Sequence, residues 1–191
     1  MRRELLALGI FMLTAATAVA DTVPQATQDF IDKVAVANKF EIDTSQLELK
    51  YGKAADVKSF AQQMIDDHTK AGQDFKASLA EAKIEAPKDA LDIAHTAKYA
   101  KLRVFTTENG FDAAYVDEQL SAHKDAVDLF KDYSANGPAG PVKSFAEKTL
   151  PTLEHHLAMV KELHDKMSSN AATGASPGTS GTSGGTSGDT K

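Results

Sequence analysis

Apolar residues recur at alternating steps of three and four along most of this chain, the period of an amphipathic helix facing a core. Four stretches carry the pattern. The first runs from about Thr27 to Gly52 on Ile31, Val34, Ala35, Ile42 and Leu49, with polar Asn38 and Ser45 set into the stripe. The second runs from about Ala54 to Lys83 on Val57, Ala61, Met64, His68, Ala71 and Phe75. The third follows Gly110 and stops at Asn136-Gly137-Pro138, with Val116, Leu120, His123, Val127 and Phe130 inward. The fourth starts at Pro141, a favoured first-turn residue, and reaches about Met167 through Val142, Ala146, Thr149, Leu153, His156, Val160 and Leu163. Pro151 lies inside this last stretch, where a missing N–H and a ring clash predict a kink or the loss of the first turns.

Steps of three and four are the pattern of left-handed bundles. Short turns join the first stretch to the second and the third to the fourth, so each pair predicts an antiparallel hairpin. The pairs are separated by a long connection that includes a helical-looking segment over Ala90–Phe105. Such a connection is long enough to run the length of a bundle. The expectation is an all-α fold, a ferritin-like four-helix bundle with one long crossover between helices two and three. No segment has the alternation of a strand.

Both ends of the chain read differently. Arg2 and Arg3 precede an apolar run from Leu5 to Val19 that ends in Ala18-Val19-Ala20, the layout of a secretory signal with a small-residue cleavage site. Residues 1–20 are therefore expected to be removed, leaving Asp21 first and the protein in the periplasm. A retained anchor is the alternative, but the run is shorter than the ~20 apolar residues that a spanning helix needs. From Ser168 to Lys191 the chain is rich in Gly, Ser and Thr without a large apolar residue, a composition that predicts a disordered tail. The bundle domain is then residues 21–167.

Composition narrows the functional classes. The net charge is −6 with no basic block, which provides no electrostatic footprint for nucleic acid. Cysteine is absent, excluding disulfides, thiolate ligands, thiol catalysis and an acylated lipoprotein cysteine. Tryptophan is absent as well and only 4 tyrosines are present, so no aromatic belt marks an integral membrane body. There is no G-x-S-x-G elbow, P-loop or dinucleotide fingerprint.

What remains is a set of histidines. Three of the four inward stripes contain one: His68, His123 and His156. At ~1.5 Å rise per residue all three fall near mid-height of the bundle, within roughly 5 Å of one another along its axis. The first helix brings Glu41 to the same level. Three imidazoles and a carboxylate converging inside a bundle are a candidate metal site, iron or copper by donor type. Met64 and Met159, close in sequence to His68 and His156, add a hint of copper. Equally, a polar layer of histidines fixes helix register in the way a core Asn does in coiled coils. Asp66, Asp67 and Glu154 read as surface charges or partners of the histidines, and His95, His155 and His164 as peripheral.

The stretches DFIDKVAVANKFEIDTSQLELKYGKAADVKSFAQQMIDDHTK, FDAAYVDEQLSAHKDAVDLF and VKSFAEKTLPTLEHHLAMVKEL resemble a bacterial family of exported proteins, the domain of unknown function numbered four-one-four-two, whose members carry membrane-protein labels. The likeness covers about residues 27–165. It implies a ferritin-like bundle and an envelope location, and no activity. The ferritin-like di-iron pattern would place a carboxylate three residues before the second- and fourth-helix histidines, where this chain has Ile65 and Leu153. A mononuclear, histidine-rich site or a metal-free descendant of the fold suits these residues better. Two readings follow: an exported bundle with a non-catalytic or stress-related envelope role, engaging an envelope partner or a second copy of itself, or a periplasmic metal-binding protein using Glu41, His68, His123 and His156.

Overall fold

The computed structural model describes residues 22–105 and 110–172. The expected signal segment, and all but the first five residues of the expected tail, lie outside the described residues. Within them every regular element is helical: α1 (Gln25–Tyr51), α2 (Ala55–Glu81), α3 (Ile93–Val104), α4 (Phe111–Asn136) and α5 (Pro141–Ala172). None of these helices is long and apolar enough to cross a membrane.

The four long helices pack as a ring of neighbours, α1 against α2 and α4, and α5 against α2 and α4. Contacts across the ring fix its directions. Thr27 at the start of α1 accepts a hydrogen bond from the Tyr133 hydroxyl near the end of α4, while Ser45 near the end of α1 meets Tyr115 near the start of α4. Lys166 of α5 pairs with Asp56 at the start of α2, and Phe145 near the start of α5 packs on Phe75 in the second half of α2. All four neighbouring pairs are thus antiparallel. The connection between α2 and α4 must then travel from one end of the bundle to the other. It does so through α3, which packs on α1 and α4 and buries Leu102 beside Tyr115 and Phe111.

Local chemistry explains the helix ends. Asp92 caps α3 by accepting the His95 N–H, and Lys101 and Arg103 occupy the negative end of that helix. The Asp112 carboxylate accepts the N–H groups of Lys53 and Ala54, tying the α1–α2 turn to the first turn of α4. Beyond α2, Lys83 adopts a positive φ of 58°, and the Ile84 N–H reaches back to the Leu79 carbonyl. This is a Schellman-type stop with Ile84 packed on the core.

Two apolar clusters divide the interior. One, near the start of α1, holds Phe30 stacked on Tyr133 at 4.0 Å between ring centroids, with Phe75, Phe130 and Phe145. The other, near its end, holds Phe60, Met64, Phe111 and Tyr115. The histidines lie in the polar layer between them.

Three details depart from the sequence reading. α5 continues unbroken through Pro151, so its first turns are not split off. Pro151 is exposed, which lets water satisfy the carbonyl whose partner N–H is missing. The same helix runs five residues past the expected end at Met167. On α1, Ile42 and Leu49 are only half-buried, and the buried positions over that stretch are Phe40, Glu41, Thr44, Ser45, Leu47 and Glu48.

Candidate metal centre

His68, His123 and His156 are each buried, one on each of α2, α4 and α5. Their ring centroids form a near-equilateral triangle with sides of 5.8, 5.6 and 5.4 Å. One ring nitrogen from each lies within 4.8 Å of the others. The common level expected from rise per residue is what the helices produce.

Each ring is oriented by one hydrogen bond to a different kind of acceptor. His68 Nδ1 donates to Asn38 Oδ1 at 3.2 Å, His123 Nδ1 to the Gln119 carbonyl at 3.0 Å, and His156 Nε2 to Asp67 Oδ2 at 2.9 Å. The other nitrogen of each ring, His68 Nε2, His123 Nε2 and His156 Nδ1, is buried and has no hydrogen-bond partner. Burial pushes all three below the ordinary imidazole range, His123 and His156 to about 4 and His68 well below that range, with its neighbours His123 and His156 adding to the effect. At neutral pH the three rings are therefore uncharged, each with a bare lone pair.

The Asn38–His68 bond depends on the absence of a side chain opposite. A Cβ on Gly72 of α2 would stand 2.9 Å from Asn38 Nδ2. Glycine there allows the amide to lie between α1 and α2 and hold the ring. Asp67 is one residue before His68, yet its carboxylate serves His156 on α5, so it bridges the α2–α5 seam.

Glu41 is close to the trio but outside the convergent set of nitrogens. It is buried, and the approach its Oε1 makes is to His123 Nδ1, at 4.0 Å, the nitrogen committed to Gln119. Burial pushes its carboxyl up to about 8, with Glu118 adding to the rise and the Gln119 amide opposing it. A neutral imidazole beside a protonated carboxyl makes a polar contact, not an ion pair.

Further along the α1–α4 seam the polar character continues. Gln119 Nε2 donates to Thr44 Oγ1 at 3.2 Å, Ser45 and Tyr115 share a hydrogen bond of 2.8 Å, and Glu48 is fully buried against Gly52. Burial lifts Glu48 to about 8, with Asp112 adding to the rise. The apolar count missed Thr44 and Glu48, because on α1 a stripe followed by hydrophobicity steps to Ile42 and Leu49, and Gln119, because on α4 it steps to the half-buried Leu120. Followed by spacing alone, from Asn38 by three, four and three, the α1 stripe reaches Glu41, Ser45 and Glu48.

The remaining candidates separate cleanly. Met64 is buried in the Tyr115 cluster and Met159 packs against the same cluster. Glu154 pairs with Lys131, exposed Asp66 accepts from Gln62, and His155 is exposed. His95 is held by Asp92 outside the trio, and His164 by Asp117 and Asp165. Ile65 is half-buried and Leu153 buried, so neither di-iron position offers a carboxylate.

Neutral, oriented imidazoles with one free nitrogen each are what a metal ion of imidazole preference requires, and the outer acceptors are the partners that usually fix a ligand's tautomer. Ligands at ~2.0–2.1 Å from a metal stand about 3.3–3.5 Å apart, so the rings would close by at most about 1.5 Å. The residues fit a single ion. No curated protein and no solved structure matches the chain. A family model does match, over residues 13–163, and the chain belongs to that family, described as Domain of unknown function (DUF4142).

Proposed function

We propose that this protein is an exported, ferritin-like helical bundle that binds one transition-metal ion, iron or copper, through His68, His123 and His156. The observation that carries the reading is the arrangement of nitrogens: on every ring one is held by a hydrogen bond, and the other is buried without a partner. A register-fixing polar layer would pair those nitrogens with one another or with neighbours, since an unpaired buried polar group costs about 1–3 kcal/mol. Three such groups on neighbouring buried rings, with centroids 5.4–5.8 Å apart, are accounted for by an ion that accepts their lone pairs.

In this reading the side chains divide their tasks. His68, His123 and His156 bind, while Asn38, the Gln119 carbonyl and Asp67 hold the rings in the required tautomers. Three neutral ligands leave the ion's charge uncompensated; the Asp67 carboxylate behind His156 is placed to balance it, and Glu41 behind His123, protonated at neutral pH, would add to that balance on releasing its proton. Glu41 thus stands beside the site as a group that can give up a proton, instead of a ligand. Apolar clusters flank the site on either side. A bound ion would supply Lewis-acid or one-electron chemistry at this point. The role assigned is binding, in keeping with a non-catalytic envelope protein. The ferritin-like reading rests on the antiparallel ring and the lengthwise crossover, and export on the Ala18-Val19-Ala20 signal.

Elemental analysis of untagged protein purified from the periplasm tests the proposal. One equivalent of metal is expected, with His68→Ala, His123→Ala and His156→Ala each losing most of it. Metal-free protein whose melting is the same with and without chelator would overturn it.

A further inference from the structure

Resting on that reading, we infer that the metal centre is open, and that its free position takes a ligand of two or three heavy atoms from an enclosed cavity beside the histidines. Three nitrogens converge, and no fourth His, Cys, Asp or Glu joins them among the described residues. A three-ligand site leaves a position vacant, the mark of catalytic and ligand-binding metal centres as opposed to structural ones.

Directly against His68 and His123 lies a cavity of about 40 Å³, which Glu41 also lines. A water molecule needs roughly 10–15 Å³ measured this way, so the space suits a molecule of two or three heavy atoms. Its other walls are largely apolar, with Phe75, Phe130, Phe145 and Leu153 among them. These walls set the size limit. Leu153 occupies the place where a carboxylate would close a di-iron site, and its side chain bounds the cavity instead.

The cavity also shares part of its wall with a surface groove. Ala71, Phe145 and Thr149 line the cavity and also line that groove, of about 800 Å³, between α2 and α5. Ala71 and Thr149 are small and half-buried, so the partition is thin on their side. Asp67 stands in the same groove while holding His156. A ligand arriving there is next to the site's outer hydrogen bond before it reaches the site.

The test uses the full chain loaded anaerobically with one equivalent of Cu(I), with metal content measured first. Carbon monoxide and tert-butyl isocyanide bind such an ion through the same carbon donor and differ in bulk. One carbon monoxide per metal is expected by infrared spectroscopy, with the isocyanide at least 100-fold weaker. Leu153→Ala should admit the isocyanide, and Ala71→Leu should slow carbon monoxide entry at least 10-fold with metal content unchanged. Full metal without carbon monoxide binding would overturn this inference alone, as would equal affinity for both probes. A chain that takes up no metal overturns the reading beneath it as well.

Discussion

Replacing His123 by leucine should make the metal-free protein more stable while abolishing metal binding. In the wild type, His123 Nε2 is buried and unpartnered, a condition that costs about 1–3 kcal/mol. Leucine has similar bulk and removes that penalty, and its neighbours Phe60 and Phe130 are compatible with an apolar side chain. Against this stands the loss of the Nδ1–H bond to the Gln119 carbonyl, worth about 0.5–1.5 kcal/mol. That carbonyl lies within α4 and keeps its backbone partner, so it is not orphaned. The balance is a gain of about 1 kcal/mol, or roughly 2–4 °C in Tm for a domain of this size. Urea and thermal melts in chelator, compared with wild type, read it directly. A loss of 1 kcal/mol or more would refute the reasoning, because it would mean that the ring's interactions with other side chains hold the bundle together and the free nitrogen is not idle.

Three further outcomes follow from the same geometry. Stability of the metal-free chain should peak at about pH 6–7. Between about 4.5 and 6.5 the unfolded chain takes up protons at three histidines that His68, His123 and His156 resist when folded, which outweighs the two protons that folded Glu41 and Glu48 retain, so acid destabilises on balance. Folded Glu41 and Glu48 keep protons up to about 8 that the unfolded chain releases near 4.5, so alkali destabilises too; Glu48→Gln should flatten the alkaline limb in urea midpoints, and an unchanged limb would contradict the assignment. Gly72→Ala should leave stability within about 1 kcal/mol, because the helix-propensity gain of ~1 kcal/mol offsets the displaced Asn38–His68 bond, yet it should weaken metal binding by roughly 10–100-fold in a competition titration. Lys83→Gly should stabilise by about 1 kcal/mol in chemical denaturation, since φ of 58° burdens any residue with a Cβ.

The helices were legible because burial and periodicity agree over most of the chain. On α2, Val57, Ala61, Met64, His68 and Phe75 are all buried as spaced. Legibility failed on α1 for an instructive reason. Beyond Asn38 its buried face mixes apolar Phe40 and Leu47 with polar Glu41, Thr44, Ser45 and Glu48, and hydrophobicity there points also to the half-buried flank, to Ile42 and Leu49. Helix periodicity gave the level of the three histidines, because rise per residue is a property of the backbone. It did not give Asp67 as the partner of His156, which depends on which pairs of helices become neighbours. Nor did it separate Glu41 from the convergent set, a matter of which side of the His123 ring the carboxylate meets.

The polar seam between α1 and α4 bears on why the bundle has two apolar clusters and not one. A continuous core would be the more stable arrangement, since buried carboxyls such as Glu41 and Glu48 are held against desolvation and remain only as protonated groups. Here the aromatic clusters sit on either side of the histidine level, and the polar positions lie at or beyond it on α1 and α4. Places where local choices conflict with stability are where function is expected to reside. The conflict in this chain is concentrated on the histidine layer and the groups that touch it: Asn38, Asp67, Gln119 and Glu41. Glu48 lies outside that layer, about two turns along α1 from Glu41 at ~1.5 Å rise per residue. That distance separates two causes that would otherwise be confounded. If the seam serves the metal, Glu41→Gln should change metal affinity in a competition titration and Glu48→Gln should not, although both relieve the same alkaline instability. Equal effects of the two substitutions on affinity would show that the seam acts on the site through stability alone.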